Sequence, residues 1–257
     1  MALRAPIGAR IILYVSHVGI MERTMNTERI KVWDLPVRGF HWLLFLLIVG
    51  AIVTGKVGGG AIEWHGRIGL AIIGLLVFRI VWGFIGSSHA RFASFVPRPS
   101  SLNAYLRGDW KGVGHNPLGA LSVLALLALI GVQAATGIFG NDDIAFKGPL
   151  VDLVDKSLSD WLTSVHRLSI NALIALIALH LAAIVFYAKV RKDDLVKPML
   201  TGWKEVEPGH GKSATGGGPI AFAVALAVAL GAVYAASGEW IERPAPEIKT
   251  NTSTPAW

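Results

Sequence analysis

WLTSVHRLSINALIALIALHLAAIVFYA, residues 161–188, is long and apolar enough to cross a bilayer as one helix, and it carries two histidines, His166 and His180. They lie fourteen positions apart, which on an α-helix is about 21 Å of rise and about 40° short of four full turns. Both imidazoles therefore leave nearly the same side of the rod, one towards each membrane surface. A histidine without a partner is costly inside a membrane, and imidazole nitrogen is an axial ligand of haem iron. A span that holds two stacked haems would carry electrons from one leaflet to the other.

The rest of the chain has the composition of a membrane protein. Of its 257 residues, 53% are hydrophobic and only 16% charged, and the mean hydropathy is +0.54. A soluble domain of this size is more polar, and its apolar residues come in shorter amphipathic segments. Here they gather into five runs, at about 38–56, 65–86, 117–139, 161–188 and 219–238, each near the roughly 20 residues that span a bilayer.

Charge sets the expected orientation. Lys and Arg number six in residues 1–40, four in 86–116 and six in 188–218, but two in each of 56–67, 140–160 and the segment after Glu239. The positive-inside rule puts the richer set in the cytoplasm, hence the N-terminus inside and the C-terminus outside. The outer 140–160 connection is acidic, with Asp142, Asp143, Asp152, Asp155 and Asp160. The net charge of +7 follows from topology and contact with lipid head groups, and it implies no nucleic-acid partner.

The chain has no cysteine, which excludes disulfides, cysteine-ligated iron–sulfur clusters and covalent attachment of haem c. Any haem must be held by histidine and packing. Residues 1–24 contain a short IILYV run that cannot span, and MNTERIKVWDLPVRGFHW from Met25 reads as a natural beginning, so translation is expected to start there. GHGKSATGGG at 209–218 reads as a flexible linker, and the Pro- and Thr-rich tail after Trp240 as disordered on the outer side.

Depth sorts the histidines. His41 lies at the inner end of the first span and His65 at the outer end of the second; in the fourth, which runs inwards, His166 is outer and His180 inner. Two pairs match in depth, His41 with His180 and His65 with His166. Each offers imidazoles from two helices, the ligand set of a six-coordinate haem suited to electron transfer. His17, His89 and His210 read as solvated loop residues. His115, in GHNPLG at the inner start of the third span, could exchange protons at a quinone site beside the inner haem. Asn116 and Pro117 of that motif suit a helix cap and first turn.

Other residues fit the same reading. Gly50 and Gly55, Gly69 and Gly74, and Gly131 and Gly137 would leave room for a flat macrocycle, or serve ordinary helix packing. Arg38 is placed for the propionates of the inner haem, and Arg67 and Arg167 stand next to the outer ligands; snorkelling to the interface is their alternative role. Arg79 follows His65 by fourteen residues on the same helix face, about 21 Å deeper and level with the inner haem. A cation at that depth needs an anionic partner, and a propionate would be one.

The motifs VRGFHW (37–42), WHGRIGL (64–70), FRIVWGFIGSSHARF (78–92), GHNPLGAL (114–121), SVHRL (164–168), ALHLAA (178–183) and LVKPMLTGWK (195–204) resemble, in order, those of the bacterial cytochrome b561 family. That family includes the b-type subunits of nickel–iron hydrogenases. The resemblance covers roughly 28–205 and implies an all-α integral membrane fold, a four-helix haem-binding bundle. By resemblance too, His41 and His180 bind an inner haem b, and His65 and His166 an outer one. The fifth C-terminal transmembrane helix is additional, which divides the chain into an N-terminal cytoplasmic segment (1–27), the dihaem bundle (28–205) and a linker, helix and periplasmic tail (206–257).

The implied role is electron transfer across the bacterial inner membrane, between quinone and a periplasmic cytochrome c or a hydrogenase or dehydrogenase subunit. No catalytic triad, metalloprotease motif or phosphate loop occurs, so the chain reads as an electron carrier or the membrane subunit of a quinone-linked oxidoreductase. Rival readings are a haem-free membrane anchor and a transporter with a histidine proton relay. The oligomeric state, a homo-oligomer included, is open on sequence alone.

Overall fold

A computed structural model describes residues 27–144 and 146–242. The expected start at Met25, His17 and most of the outer tail lie outside the described residues. In chain order the elements are β1 (Glu28–Lys31), α1 (Leu35–Val57), α2 (Ile62–Ile85), the short α3 (Phe92–Phe95) and α4 (Pro99–Leu106), α5 (Pro117–Gly137), α6 (Lys156–Phe186), α7 (Val196–Thr201), β2 (Trp203–Val206) and α8 (Pro219–Ser237). Strands β1 and β2 pair antiparallel, Glu28 opposite Val206 and Lys31 opposite Trp203.

Five helices among the described residues are long and apolar enough to cross a membrane. Leu46, Leu168, Leu179 and Leu230 are each 60% exposed or more, which suits a lipid surround and would promote association in water. The protein is an all-α integral membrane protein with several passes.

Local chemistry sets the helix ends. Asp34 caps α1, its Oδ1 accepting from Val37 N at 2.7 Å; Gly58, at φ 66°, ends it with its N–H on Thr54 O. Asn116 caps α5 by accepting from Gly119 N at 2.7 Å, with Pro117 in the first turn. Helix α6 begins five residues before the expected 161, because Asp155 caps it by accepting from Leu158 N at 2.9 Å. It ends in a π-turn at Tyr187–Arg191.

Two apolar layers hold the helices together. Midway through the bundle, Leu44, Ile72, Ile130 and Leu173 pack together, one each from α1, α2, α5 and α6. Leu173 stands seven residues from both His166 and His180, so this layer separates the two histidine levels. At the end of the bundle that the charge bias would make the inner one, Ile30, Val32, Trp33 and Val37 pack with Phe78 and Trp82 of α2 and Ala225 and Ala229 of α8. Trp82 is fully buried, stacks on Phe78 at 5.8 Å and donates its Nε1–H to Asp34 Oδ2 at 3.0 Å.

Helix α8 lies against α2. A Cβ on Gly74 would come 2.7 Å from Val233 Cγ2, so the bare glycine permits the approach, as small residues do between membrane helices. The segment before α8 is held in place, contrary to the expected flexible linker. Ala214 N donates to Lys31 O at 2.7 Å, Ser88 N to Thr215 O at 2.8 Å, and Ser87 bridges Gly216. Its glycines bend the chain into a groove on the bundle: a Cβ on Gly217 would lie 2.6 Å from Ser87 N and 2.8 Å from the Trp82 ring.

Candidate functional site

At the opposite end, which the same bias would make the outer one, α2 and α6 bring His65 and His166 together edge to face. Their ring centres are 6.0 Å apart and their planes cross at 87°. Each ring is turned by a hydrogen bond through Nδ1: His65 to Ala51 O at 2.9 Å, and His166 to Gln133 O at 3.0 Å. With Nδ1–H donated to a carbonyl, Nε2 is left as the free acceptor nitrogen, the form in which histidine binds metals. Two imidazoles on one iron, each about 2 Å from the metal through a nitrogen about 1 Å from its ring centre, have centres about 6 Å apart. The observed pair fits that requirement.

A cavity of about 680 Å³ surrounds the pair, bordered by Gly55, Gly66, Gly69 and Gly137 where side chains would otherwise project. That volume suits a cofactor site. Of the six glycines expected to make room, Gly55, Gly69 and Gly137 line this cavity. The others pack helices: Gly50 against Ile68, Gly131 against Leu76 and Gly74 against Val233. The loop after α5 closes the top, Asp142 accepting from Ile144 N and Phe146 N while Phe146 covers Gly66.

The inner end is more polar. His41 lies within electrostatic reach of His180, and its Nδ1 is buried without a hydrogen-bond partner. His115 is sandwiched between Trp33 and Phe95, ring centres 4.6 and 4.7 Å away. Burial, reinforced by the positive charges of Arg79 and His89, pushes its pKa down to about 3. His89 is not the solvated loop residue expected. Its Nε2 is buried without a partner, and burial lowers its pKa while the nearby Asp34 charge opposes that.

The four arginines are placed differently from one another. Arg79 is 3% exposed and lies over the rings of Phe92 and Phe95 at 5.1 and 5.7 Å, with one guanidinium nitrogen unpartnered. Arg167 is exposed and lines the outer cavity. Arg67 pairs with Glu63 at 3.7 Å and lies over Trp64 at 5.1 Å on the outer surface of α2. Arg38 donates to Leu200 O, joining α1 to α7, and its Nε has no partner.

Sequence reasoning passed over Gln133, which holds His166 from two sides. Its carbonyl accepts from the ring, and its Nε2 donates to His166 O at 2.9 Å and Ser169 Oγ at 2.7 Å. An uncharged amide inside a span was the available signal, since such a group needs partners in lipid.

Comparison with known proteins agrees with this architecture. The family described as prokaryotic cytochrome b561 matches residues 32–202. The chain is 25% identical to a probable Ni/Fe-hydrogenase B-type cytochrome subunit of Azotobacter vinelandii, over 71% of this chain and 91% of that protein. Proteins of the same description from Rhizobium leguminosarum bv. viciae and Rhodobacter capsulatus are each 23% identical, over 70% and 71% of this chain and 91% and 84% of theirs. No solved structure matches the chain. A multi-helix membrane bundle with facing imidazoles and a match across most of its length belongs to one family: the chain is a prokaryotic cytochrome b561, a haem-b-binding membrane protein of electron transfer.

Proposed function

We propose that this cytochrome holds two b haems, an outer one between His65 and His166 and an inner one between His41 and His180, and passes electrons between membrane quinone and a redox protein at the outer face. The observation that carries the reading is the outer pair: ring centres at 6.0 Å, with both Nδ1 atoms already bonded to carbonyls. The bound haems supply the one-electron chemistry.

The chain's own residues do the rest. Its imidazoles fix the two sites at opposite leaflets, and the layer of Leu44, Ile72, Ile130 and Leu173 keeps water from the space between them. Arg79 and Arg38 would neutralise propionate charge at the inner level, and Arg167 and Arg67 at the outer one. A quinone bound at the inner end would meet His115 as a neutral imidazole, because burial between Trp33 and Phe95 opposes its protonation. Residues 28–205 form the haem-binding unit, and 206–257 add the fifth helix and tail.

The relatives' description as hydrogenase cytochrome subunits favours a hydrogenase as the outer partner. The basic inner connections favour a cytoplasmic N-terminus in a bacterial inner membrane. A reduced-minus-oxidised spectrum with haem quantification on the purified protein tests this. About two b haems per chain are expected, with one lost in His166→Ala and the other in His180→Ala. A colourless preparation would favour a haem-free anchor or a transporter, and an unchanged haem content in either variant would refute that ligand assignment.

A further inference from the structure

Each outer histidine is held by the helix that precedes its own, and the two arrangements share a carbonyl, a threonine and a glycine at the same spacing, with Thr136 Oγ1 also 3.3 Å from His166 Nδ1. In α1, Ala51 O bonds His65 Nδ1 at 2.9 Å; in α5, Gln133 O bonds His166 Nδ1 at 3.0 Å. Three residues after each carbonyl stands a threonine, and four after it a glycine: AIVTG at 51–55 and QAATG at 133–137. Thr54 Oγ1 turns back to Gly50 O at 2.7 Å, with Ala51 O at 3.2 Å. Thr136 Oγ1 does likewise, to Val132 O at 2.7 Å and Gln133 O at 3.2 Å. A Cβ on Gly55 would lie 3.0 Å from the His65 ring, and one on Gly137 3.1 Å from that of His166.

The parts work together. A helix carbonyl normally points along its own turn at the N–H four residues on, beneath that residue's side chain. Threonine back-bonding bends the turn and opens its carbonyls, and glycine at the covering position removes the atom that would block an imidazole. The carbonyl can then accept a second hydrogen bond from the neighbouring helix. A histidine that donates Nδ1–H to such an acceptor is fixed in tautomer and orientation and becomes a more basic ligand. The inner site lacks this support at His41, whose Nδ1 is buried without a partner.

We propose that Thr54–Gly55 and Thr136–Gly137 are matched positioning brackets that aim His65 and His166 and set the potential of the outer haem apart from that of the inner. The inference rests on the dihaem reading above. More basic axial ligands favour the ferric state, so the brackets hold the outer haem at the lower potential of the two.

The test is redox titration and low-temperature EPR of the whole protein, with the inner haem as internal control for folding. Thr54→Val and Thr136→Val should each raise the outer-haem midpoint and alter its EPR signal while the inner haem stays unmoved, and Thr54→Ser and Thr136→Ser should restore both. Gly55→Ala and Gly137→Ala should reduce haem content from about two towards one per chain. The proposal is overturned if the valine variants shift both haems alike or neither, if serine behaves as valine, or if the alanine variants keep two haems with an unchanged outer signal. A wild-type protein without an outer haem would instead refute the dihaem reading itself, which His65→Ala identifies separately.

Discussion

The imidazole planes of His65 and His166 cross at 87° with their centres 6.0 Å apart, each turned by a carbonyl on a different helix. Perpendicular axial imidazoles leave the iron orbitals nearly degenerate, whereas parallel ones split them. The oxidised protein should therefore show a strongly anisotropic low-spin EPR signal with one large g value, removed by His65→Ala. A spectrum containing only rhombic signals, as from parallel rings, would contradict this ring arrangement.

Gly74 faces Val233 across the α2–α8 contact, where a Cβ would come within 2.7 Å of the valine methyl. Gly74→Ala should destabilise the protein by about 1–3 kcal/mol, the usual cost of overpacking. Adding Val233→Ala should recover most of it. Thermal unfolding in detergent checks this, and a loss that the second substitution leaves untouched would place the strain elsewhere.

Asp34 uses one oxygen to cap α1 through Val37 N and the other to accept from Trp82 Nε1. Trp82→Phe leaves the buried carboxylate one bond short, and should cost about 1–3 kcal/mol. Asp34→Ala loses the cap as well and strands the indole N–H, so its loss of stability should be the larger. Equal effects in a denaturation series would mean that the cap contributes nothing.

His115 titrates at about 3 in the folded protein, against an ordinary value of 6.5. Between those values the unfolded chain binds the extra proton, so stability rises with pH there. The contribution is complete above about pH 6.5 and is lost progressively as the pH falls towards 3. His115→Phe should flatten that part of the profile of melting temperature against pH, while an identical acid loss in the variant would assign the dependence to other groups. His89, also lowered by burial, adds in the same direction.

Much of this arrangement was legible in the residues. The five spans appear within a few residues of their hydropathy limits because length and apolar composition decide them, and the earliest start relative to those limits, at Lys156, comes from the Asp155 cap. The depth of His65 and His166 foretold their meeting, since helix rise is fixed. What escaped was whatever depends on the neighbouring helix. AIVTG and QAATG share only threonine and glycine, too little to register as a repeat until both are seen cradling an imidazole. Gly74 looked like room for a cofactor because nothing in its own span names α8 as its neighbour. His89 and the 209–218 segment looked solvated because polar and glycine-rich stretches usually are; here backbone bonds to Lys31 and Ser88 hold that segment down.

The placement of α8 also bears on assembly with other proteins. Its first residues are tethered beside Ser87 and Trp82, and Gly238 at its far end abuts Pro149 in the loop between α5 and α6. The chain thus roofs one flank of α2 with a segment of its own, from one leaflet to the other. An anchoring helix contributed by a second polypeptide then cannot reach that flank of α2 and must approach through α1, α5, α6 or the exposed face of α8, so cross-linking probes for such a subunit belong on those four rods.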